Sequence, residues 1–300
     1  MADASRPPNA VLRGGLRAVV GLARGLGPAR YPVADGVAMC VYALDPGRRR
    51  RAAANHRRLD PAIDQREARR RARRSFREYG RTTADFIWAN GMDDATVRRH
   101  SVVHGLEHLR AARDAGRGGV ITLSHFGNWD MAAHAAIAMD MPVTTVMAPL
   151  GPQRFSDLVL WARQRNQLEV FTPHNAARAL LRALRANRCV GLMCDIPGAG
   201  PTVDVDYCGG PVPFSSVPAW LAMRTGAPLL PADCTRHQDG LYEIVIHAPV
   251  PVRDGDDERA VMQRVAGVLE RAVLRRPTQW YPFGPVYADA AEPSRDSHHS

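Results

Sequence analysis

The sequence contains no lysine, few aromatic residues and no apolar run long enough to cross a membrane. All 40 basic residues are therefore arginine. Aromatic residues make up only 6% of the chain and do not alternate with the basic ones, so the stacking platforms of single-strand nucleic-acid binding are missing. No stretch of about 18 apolar residues occurs, and Asp140 interrupts the best candidate. Any membrane association is therefore expected to be peripheral, and the composition does not favour nucleic acid as a partner.

Several common catalytic and metal-binding motifs are also missing. The sequence has no G-x-S-x-G elbow, no phosphate-binding P-loop and no G-x-G-x-x-G, which removes the main support for a serine hydrolase, a P-loop nucleotidase or a dinucleotide enzyme. No C-x-x-C pair and no paired histidines at zinc-ligand spacing occur, so we predict no metal and no cofactor. The cysteines are scattered, as in a protein of a reducing compartment: Cys40, Cys189, Cys194, Cys208 and Cys234.

Positive charge is abundant and concentrated in one segment. Residues 48–81 contain 14 arginines against four acidic residues, an excess that equals the net charge of +10 for the 300-residue chain. Such a segment is either a solvated helix face or a surface for a polyanion, such as anionic lipid, coenzyme A or an acyl carrier protein. If it binds lipid, neutralising its central arginines should weaken binding to anionic vesicles: Arg69, Arg70, Arg71, Arg73 and Arg74.

A second membrane-binding candidate lies nearer the N-terminus. Residues 11–27 place apolar side chains on one helical stripe, with arginines displaced from it: Leu12, Leu16, Val19, Ala23 and Leu26. A helix packed on the core explains the stripe equally well, and Gly14, Gly15 and Gly21 weaken the helix prediction.

The remaining pattern predicts an α/β fold. Residues 1–100 read as a basic helical region of the same fold, with the clearest helix over 66–88. From residue 101 to 287, strands alternate with helices, which predicts a central mixed, mostly parallel sheet flanked by helices on both faces. We expect strands at 119–124, 142–147, 168–171, 189–194, 228–234 and 242–247, and helices near 106–115, 129–139, 153–166, 174–186, 215–225 and 256–275. Residues 288–300 are expected to be a disordered tail.

The stretch "LSHFGNWD" (123–130) is the candidate catalytic motif. It follows the buried strand pattern "GGVITLS" and precedes the helix pattern "NWDMAAHAAIAM", so His125 is expected beyond the carboxyl end of a strand, where open α/β sheets bind ligands. Asp130, in the first helical turn, is then close enough to reach back to the imidazole and fix its tautomer, which lets the other nitrogen take a proton from a hydroxyl. Spacing and setting also fit a helix-capping Asp130 and a half-buried His125, and both interpretations stay open.

These residues carry a family resemblance. "SHFGNWD" resembles the H-x4-D signature of the glycerolipid acyltransferase superfamily, and its flanks are similar to the bacterial lipid A biosynthesis acyltransferase family, including its phosphatidylinositol mannoside acyltransferase branch. "WARQRNQLEVF" (161–171) resembles the family's arginine-bearing helix and following strand. The segment 189–232, with its "VDVDY", and the late "RRPTQWYPF" also resemble the family. The resemblance extends over residues 10–287.

What the resemblance implies is an O-acyltransferase at the cytoplasmic face of the cell membrane. The acyl group would pass from acyl-CoA or acyl carrier protein to a hydroxyl of a membrane glycolipid or phospholipid. The arginine-only composition is typical of GC-rich coding. It favours an actinobacterial glycolipid, and so a phosphatidylinositol mannoside-type acceptor, over lipid A. His125 would be the general base and Asp130 its orienting partner. Substrate would be bound by Ser124, Asn128, Arg163 and Asp195, and the backbone N–H groups of residues 126–128, or those at the start of the helix, would hold the oxyanion.

One departure from the family pattern leaves alternatives open. The family's glutamate before the V-x-V-x-[FY] segment has no counterpart near Gly200. Asp195 and Asp204 are the candidates to replace it, although Asp195 also fits the end of a strand and Asp204 a solvent-exposed position. A non-catalytic paralogue that binds lipid or carrier protein, or a basic nucleic-acid-binding protein, are the other functions that the sequence allows.

Overall fold

A computed structural model describes residue 8 and residues 10–173, 176–196 and 200–288 of the chain. Statements about its structure refer to these residues. The predicted tail lies outside them from residue 289 onward, and the division of the chain at residues 100 and 287 stays a prediction.

The chain begins with a layer of helices whose starts follow from capping residues. In order they are α1 (Ala10–Leu26), α2 (Arg30–Leu44), α3 (Pro46–Leu59), α4 (Gln65–Ala89) and α5 (Asp94–Arg99). Asp45, Asp64 and Asp93 precede α3, α4 and α5, and each carboxylate accepts a hydrogen bond from a backbone N–H of the first turn. Small buried alanines, Ala52 on α3 and Ala68 and Ala72 on α4, let these two helices pack closely. The predicted 66–88 helix is confirmed as α4.

A seven-stranded sheet forms the centre of the remaining chain. Its strands lie in the order β1-β9-β8-β2-β5-β3-β4, and every neighbouring pair is parallel except β8 and β9. A separate antiparallel hairpin is made by β6 and β7. The strand bounds are β1 Ser101–His104, β2 Gly119–Leu123, β3 Val143–Val146, β4 Glu169–Phe171, β5 Cys189–Met193, β6 Thr202–Tyr207, β7 Gly210–Ser215, β8 Leu229–Arg236 and β9 Tyr242–Ile246.

Helices cover both faces of the sheet, as the alternation of its side chains requires. Along β2, Val120 joins a core cluster with Leu180 of α9 and Leu269 of α11, whereas Ile121 joins the opposite cluster with Leu109 of α6. The helices are α6 (Leu106–Asp114), α7 (Trp129–Ala138), α8 (Gln153–Arg165), α9 (Ala176–Arg185), α10 (Val217–Thr225) and α11 (Glu258–Arg275). The predicted fold class, six strands and six helices of this part are therefore confirmed. The sequence prediction missed β1, β6 and β7.

The first two helices, α1 and α2, leave large apolar side chains exposed. Of the predicted α1 stripe, Ala23 is buried and Leu12 and Leu16 are half-buried and line a cavity, whereas Val19 lines the same cavity but is 46% exposed. Both helices carry exposed apolar side chains: Val11, Val19 and Leu22 of α1 are 80%, 46% and 63% exposed, and Val33, Val37, Val41 and Leu44 of α2 are 55%, 62%, 41% and 84% exposed. Among the described residues, no helix combines the length and hydropathy that a bilayer span requires.

Candidate functional site

His125 lies at the carboxyl edge of the sheet, where two parallel strands end together. In the β2–β5 register, Leu123 is opposite Met193. His125 lies two residues after Leu123, and Asp195 lies two residues after Met193. Their side chains therefore come into contact at this edge of the sheet. The topology thus brings together two residues that are 70 positions apart in sequence.

The imidazole of His125 is held by Asp195. Nδ1 lies 2.8 Å from Oδ1 of Asp195, and the backbone N–H of His125 donates to both carboxylate oxygens at 2.9 Å. The Asp195 side chain is only 1% exposed, against 26% for His125. A buried carboxylate at this position favours the tautomer that carries its hydrogen on Nδ1, which leaves Nε2 as the acceptor.

Asp130 does not orient the imidazole, so the pairing expected from the H-x4-D spacing is corrected by the structure. Its carboxylate accepts two hydrogen bonds from Arg163, at 2.7 Å from Nε and 3.0 Å from Nη2. The physical reason is the direction of α7, whose first turn carries Asp130 toward the last turn of α8. Burial alone would lower the pKa of the Arg163 guanidinium, but the charge and hydrogen bonds of Asp130 outweigh burial and raise it.

The turn after His125 is fixed by its own backbone. Gly127 has φ +59°, and a Cβ there would lie 1.6 Å from the carbonyl oxygen of Cys234, so only glycine fits. The N–H groups of Phe126, Gly127 and Asn128 donate to the carbonyl oxygens of Ser124, Gln279 and Cys234.

The three N–H groups of residues 126–128 therefore cannot hold an oxyanion, and that part of the expectation is wrong. The N–H groups at the start of α7, on Trp129 and Asp130, have no acceptor among the described residues. The start of α7, the other location expected for the oxyanion donors, therefore stays a candidate.

A buried polar network supports the turn from below. The Asn128 side chain caps α7 by accepting from the Met131 N–H at 3.0 Å and donates to the Tyr242 hydroxyl at 3.1 Å. Tyr242 in turn donates to Asp85 at 2.5 Å, and burial raises the pKa of this phenol, which keeps it protonated. Arg236 and Arg30 bind the same Asp85 carboxylate, each with Nε at 2.9 Å.

Two of the four residues expected to bind substrate are buried beside the His125 turn. Ser124 is 4% and Asn128 1% exposed, and neither lines the cavity in front of His125. A role for these two side chains in binding substrate stays a prediction. Of the other two, Arg163 does line the cavity, whereas Asp195 is buried behind the imidazole.

His125 opens onto a cavity of about 1920 Å³ with largely apolar walls. Its polar lining near the imidazole comes from Asp130 and Arg163, while residues such as Leu123, Ala136 and Met147 extend the apolar wall into the protein. This volume exceeds the roughly 300–1,000 Å³ of a site for one small molecule. The cavity therefore suits long apolar groups.

The C-terminal aromatic segment is part of the same site. Trp280 pairs with Phe126 through a β-bridge, and the Tyr281 N–H donates to the carbonyl oxygen of His125 at 3.2 Å. Tyr281 also lines the cavity, beside Tyr79 of α4, with ring centroids 5.1 Å apart. The sequence flagged this segment through "RRPTQWYPF" but gave it no role, and it gave no site role to Tyr79.

Comparison with known proteins identifies the family. The profile described as "Bacterial lipid A biosynthesis acyltransferase" matches residues 16–286. The chain belongs to this family of acyltransferases. It is 31% identical over 228 residues to the phosphatidylinositol mannoside acyltransferase of Mycobacterium tuberculosis strain CDC 1551, a match covering 74% of this chain and 72% of the relative.

Other members of the lipid A biosynthesis acyltransferase family match to similar extents. The phosphatidylinositol mannoside acyltransferase of Mycolicibacterium smegmatis is 29% identical over 228 residues, covering 74% of each chain. The lipid A biosynthesis lauroyltransferase of Escherichia coli K12 is 24% identical over 241 residues, covering 77% of each chain.

The resemblance implies a glutamate before the V-x-V-x-[FY] segment, and the sequence has no carboxylate near Gly200. Residues 197–199 lie outside the described residues, and Gly200 lines the cavity. Asp204 is exposed on β6 and does not line the cavity, so it does not replace the glutamate there. Asp195 is the carboxylate that reaches His125.

Proposed function

We propose that this acyltransferase moves a fatty acyl group from a thioester donor, acyl-CoA or acyl carrier protein, to a hydroxyl of a membrane glycolipid or phospholipid. The observation that carries the proposal is the His125 imidazole, oriented by buried Asp195, on the wall of a large apolar cavity. A fatty acyl chain lies in the apolar part, and the thioester carbonyl lies beside the imidazole.

In the reaction, Nε2 of His125 takes the proton of the acceptor hydroxyl while its oxygen attacks the thioester carbonyl carbon. The tetrahedral intermediate collapses by breaking the carbon–sulfur bond, and the departing thiolate receives the proton from the imidazolium. The products are an ester and a free thiol. Neither a cofactor nor a covalent acyl-enzyme is required.

The developing negative charge needs donors near the imidazole. The N–H groups of Trp129 and Asp130, which have no acceptor among the described residues, are the donors that we propose for the oxyanion, because a helix N-terminus favours negative charge. Arg163 keeps its positive charge beside them and contributes to binding a phosphate of donor or acceptor. Its bidentate bond to Asp130 fixes the guanidinium plane.

For the acceptor, we propose a phosphatidylinositol mannoside-type lipid. Support comes from the mycobacterial relatives, whose names specify phosphatidylinositol mannoside, and from the arginine-only composition.

We further propose peripheral attachment to the cytoplasmic face of the cell membrane through α2. Its exposed apolar stripe, running from Val33 to Leu44, is followed at once by the arginines of residues 48–51 at the start of α3. Anionic bilayers bind helices of this kind, whose apolar side chains enter the interface while neighbouring arginines contact the headgroups. Farther along α4, Arg70 and Arg71 already pair with Glu67, which reduces their contribution.

The test is His125→Ala, assayed with radiolabelled acyl-CoA and a total lipid extract. Loss of the general base should reduce lipid ester formation by about 10²–10⁴-fold. The control is His104→Ala, because His104 is exposed and does not line the cavity. Unchanged lipid modification in cells that carry the His125→Ala variant would favour the non-catalytic paralogue. A salt-sensitive gel shift with DNA, without vesicle binding, would favour the nucleic-acid alternative.

A further inference from the structure

A second cavity, of about 730 Å³, lies on another face of α4 from the one that lines the His125 cavity. Its walls come from α4, from the residues at and after the end of β8, and from the chain that follows α11. Five arginines line it: Arg74, Arg77, Arg81, Arg236 and Arg276. We call this second cavity the arginine pocket.

Three of the arginines are fixed in place by carboxylates. Arg77 and Arg81 both bind Asp35 of α2, with nitrogen–oxygen distances of 2.5 and 2.7 Å. Arg236, whose side chain is 3% exposed, binds Asp85 at 2.9 Å. These guanidinium groups are therefore preorganised, with further N–H groups available for a ligand.

The other two arginines provide uncompensated charge. Neither Arg74 nor Arg276 forms an ion pair or a side-chain hydrogen bond within the part of the chain that the structure describes. The two carboxylates in the lining are Glu78 and Asp239, and Glu78 already contacts Arg81 at 3.5 Å and Arg236 at 3.8 Å. The lining thus keeps a positive excess inside a concave surface, where a bound anion is surrounded by donors.

We propose that the arginine pocket binds a phosphate group, from a lipid headgroup or from a free phosphate ester. Planar guanidinium forks match phosphate oxygens with pairs of N–H groups, and convergence of several forks favours phosphate over a single carboxylate. Asp35, which anchors two of the arginines, lies on the face of α2 that packs against α4, opposite the exposed Val33 and Val37, so the experiment has to distinguish the two sources of the phosphate.

The arginine pocket also contacts the turn that carries His125. The Gln279 side chain accepts from the Arg236 N–H at 2.9 Å and donates to the Arg236 carbonyl oxygen at 2.6 Å. The backbone carbonyl oxygen of the same Gln279 accepts from the Gly127 N–H at 2.9 Å. The phosphate site and the His125 turn therefore share one supporting residue, although phosphate binding itself does not depend on acyl transfer.

The test compares the double variant Arg74→Gln/Arg276→Gln with the control Arg178→Gln/Arg185→Gln on α9, which removes the same charge from exposed positions outside both cavities. Inorganic phosphate is titrated calorimetrically at constant ionic strength. In a second arm, co-sedimentation is measured with phosphatidylcholine vesicles with and without phosphatidylinositol. The variant's thermal unfolding midpoint should match that of the control, because both changes are at exposed side chains.

Loss of two guanidinium partners should weaken phosphate binding by about tenfold or more in the pocket variant and leave the control unchanged. If the pocket variant binds inorganic phosphate more weakly than the control does but sediments normally with vesicles, the ligand is a free phosphate ester. If it is weakened only in sedimentation with vesicles that contain phosphatidylinositol, the ligand is a lipid headgroup. If the pocket variant and the control behave alike in both arms, the proposal is wrong. Because no arm measures acyl transfer, a failure here is separate from a failure of the proposed reaction.

Discussion

Replacing Asp195 by asparagine tests which carboxylate serves His125. The Asp195 carboxylate, 1% exposed, accepts hydrogen bonds from the backbone N–H of His125 at 2.9 Å and faces Nδ1 at 2.8 Å. An amide keeps one acceptor oxygen and gains an NH2 group. If the oxygen takes the backbone N–H, the NH2 group faces Nδ1 and forces the hydrogen onto Nε2, the nitrogen that must accept a proton.

The size of the effect follows from two losses. A hydrogen bond to a buried charged group contributes about 1.5–3 kcal/mol, and its removal also leaves the imidazolium without a stabilising charge. Together with the wrong tautomer, we expect the turnover number to fall by about 10²–10⁴-fold, or about 3–5 kcal/mol in activation free energy. The assay is the initial rate of ester formation from radiolabelled acyl-CoA at saturating lipid.

Asp130→Asn is the decisive comparison. It removes the charge that pairs with Arg163, whose side chain is 15% exposed, so its main cost should be stability, about 1–3 kcal/mol at this partly buried position. We expect turnover within about tenfold of the parent protein while the chain is folded. Asp204→Asn, at an exposed position on β6, controls for the loss of a carboxylate. Normal turnover in Asp195→Asn with abolished turnover in folded Asp130→Asn would refute the assignment.

Two further predictions concern stability and membrane binding. His56 is fully buried, and burial, followed by the charge of Arg71, lowers its pKa from 6.5 to about 4. Below pH 6.5 only the unfolded chain takes up this proton, so the free energy of unfolding should fall by about 3 kcal/mol toward pH 4. In denaturant titrations, the free energy of unfolding of His56→Gln should fall less between pH 6.5 and pH 4 than that of the parent protein. An equal fall in both proteins would contradict this prediction. For α2, Val37→Asp/Val41→Asp should weaken sedimentation with anionic vesicles at least tenfold, whereas unchanged sedimentation would exclude the α2 face.

The sequence alone determined the elements that depend on local pattern. Buried strand runs such as 119–123 and 189–193 are mostly apolar and alternate along the chain with helix patterns, so strands, helices and the α/β class were predictable. The hairpin β6–β7 was missed because its turn depends on positive φ angles at Cys208 and Gly209, which leave little signal in composition. The family resemblance identified His125 and Arg163 by motif.

Only the tertiary structure decided which residues meet. Spacing favoured Asp130 as the partner of His125 because it lies five positions away, but side-chain direction on α7 turns it toward Arg163. Asp195 reaches the imidazole because β5 is the sheet neighbour of β2, and strand order is set by packing of the whole chain rather than by local sequence. The same holds for the exposed face of α2 and for the arginine pocket, since burial of one helix face depends on what packs against it.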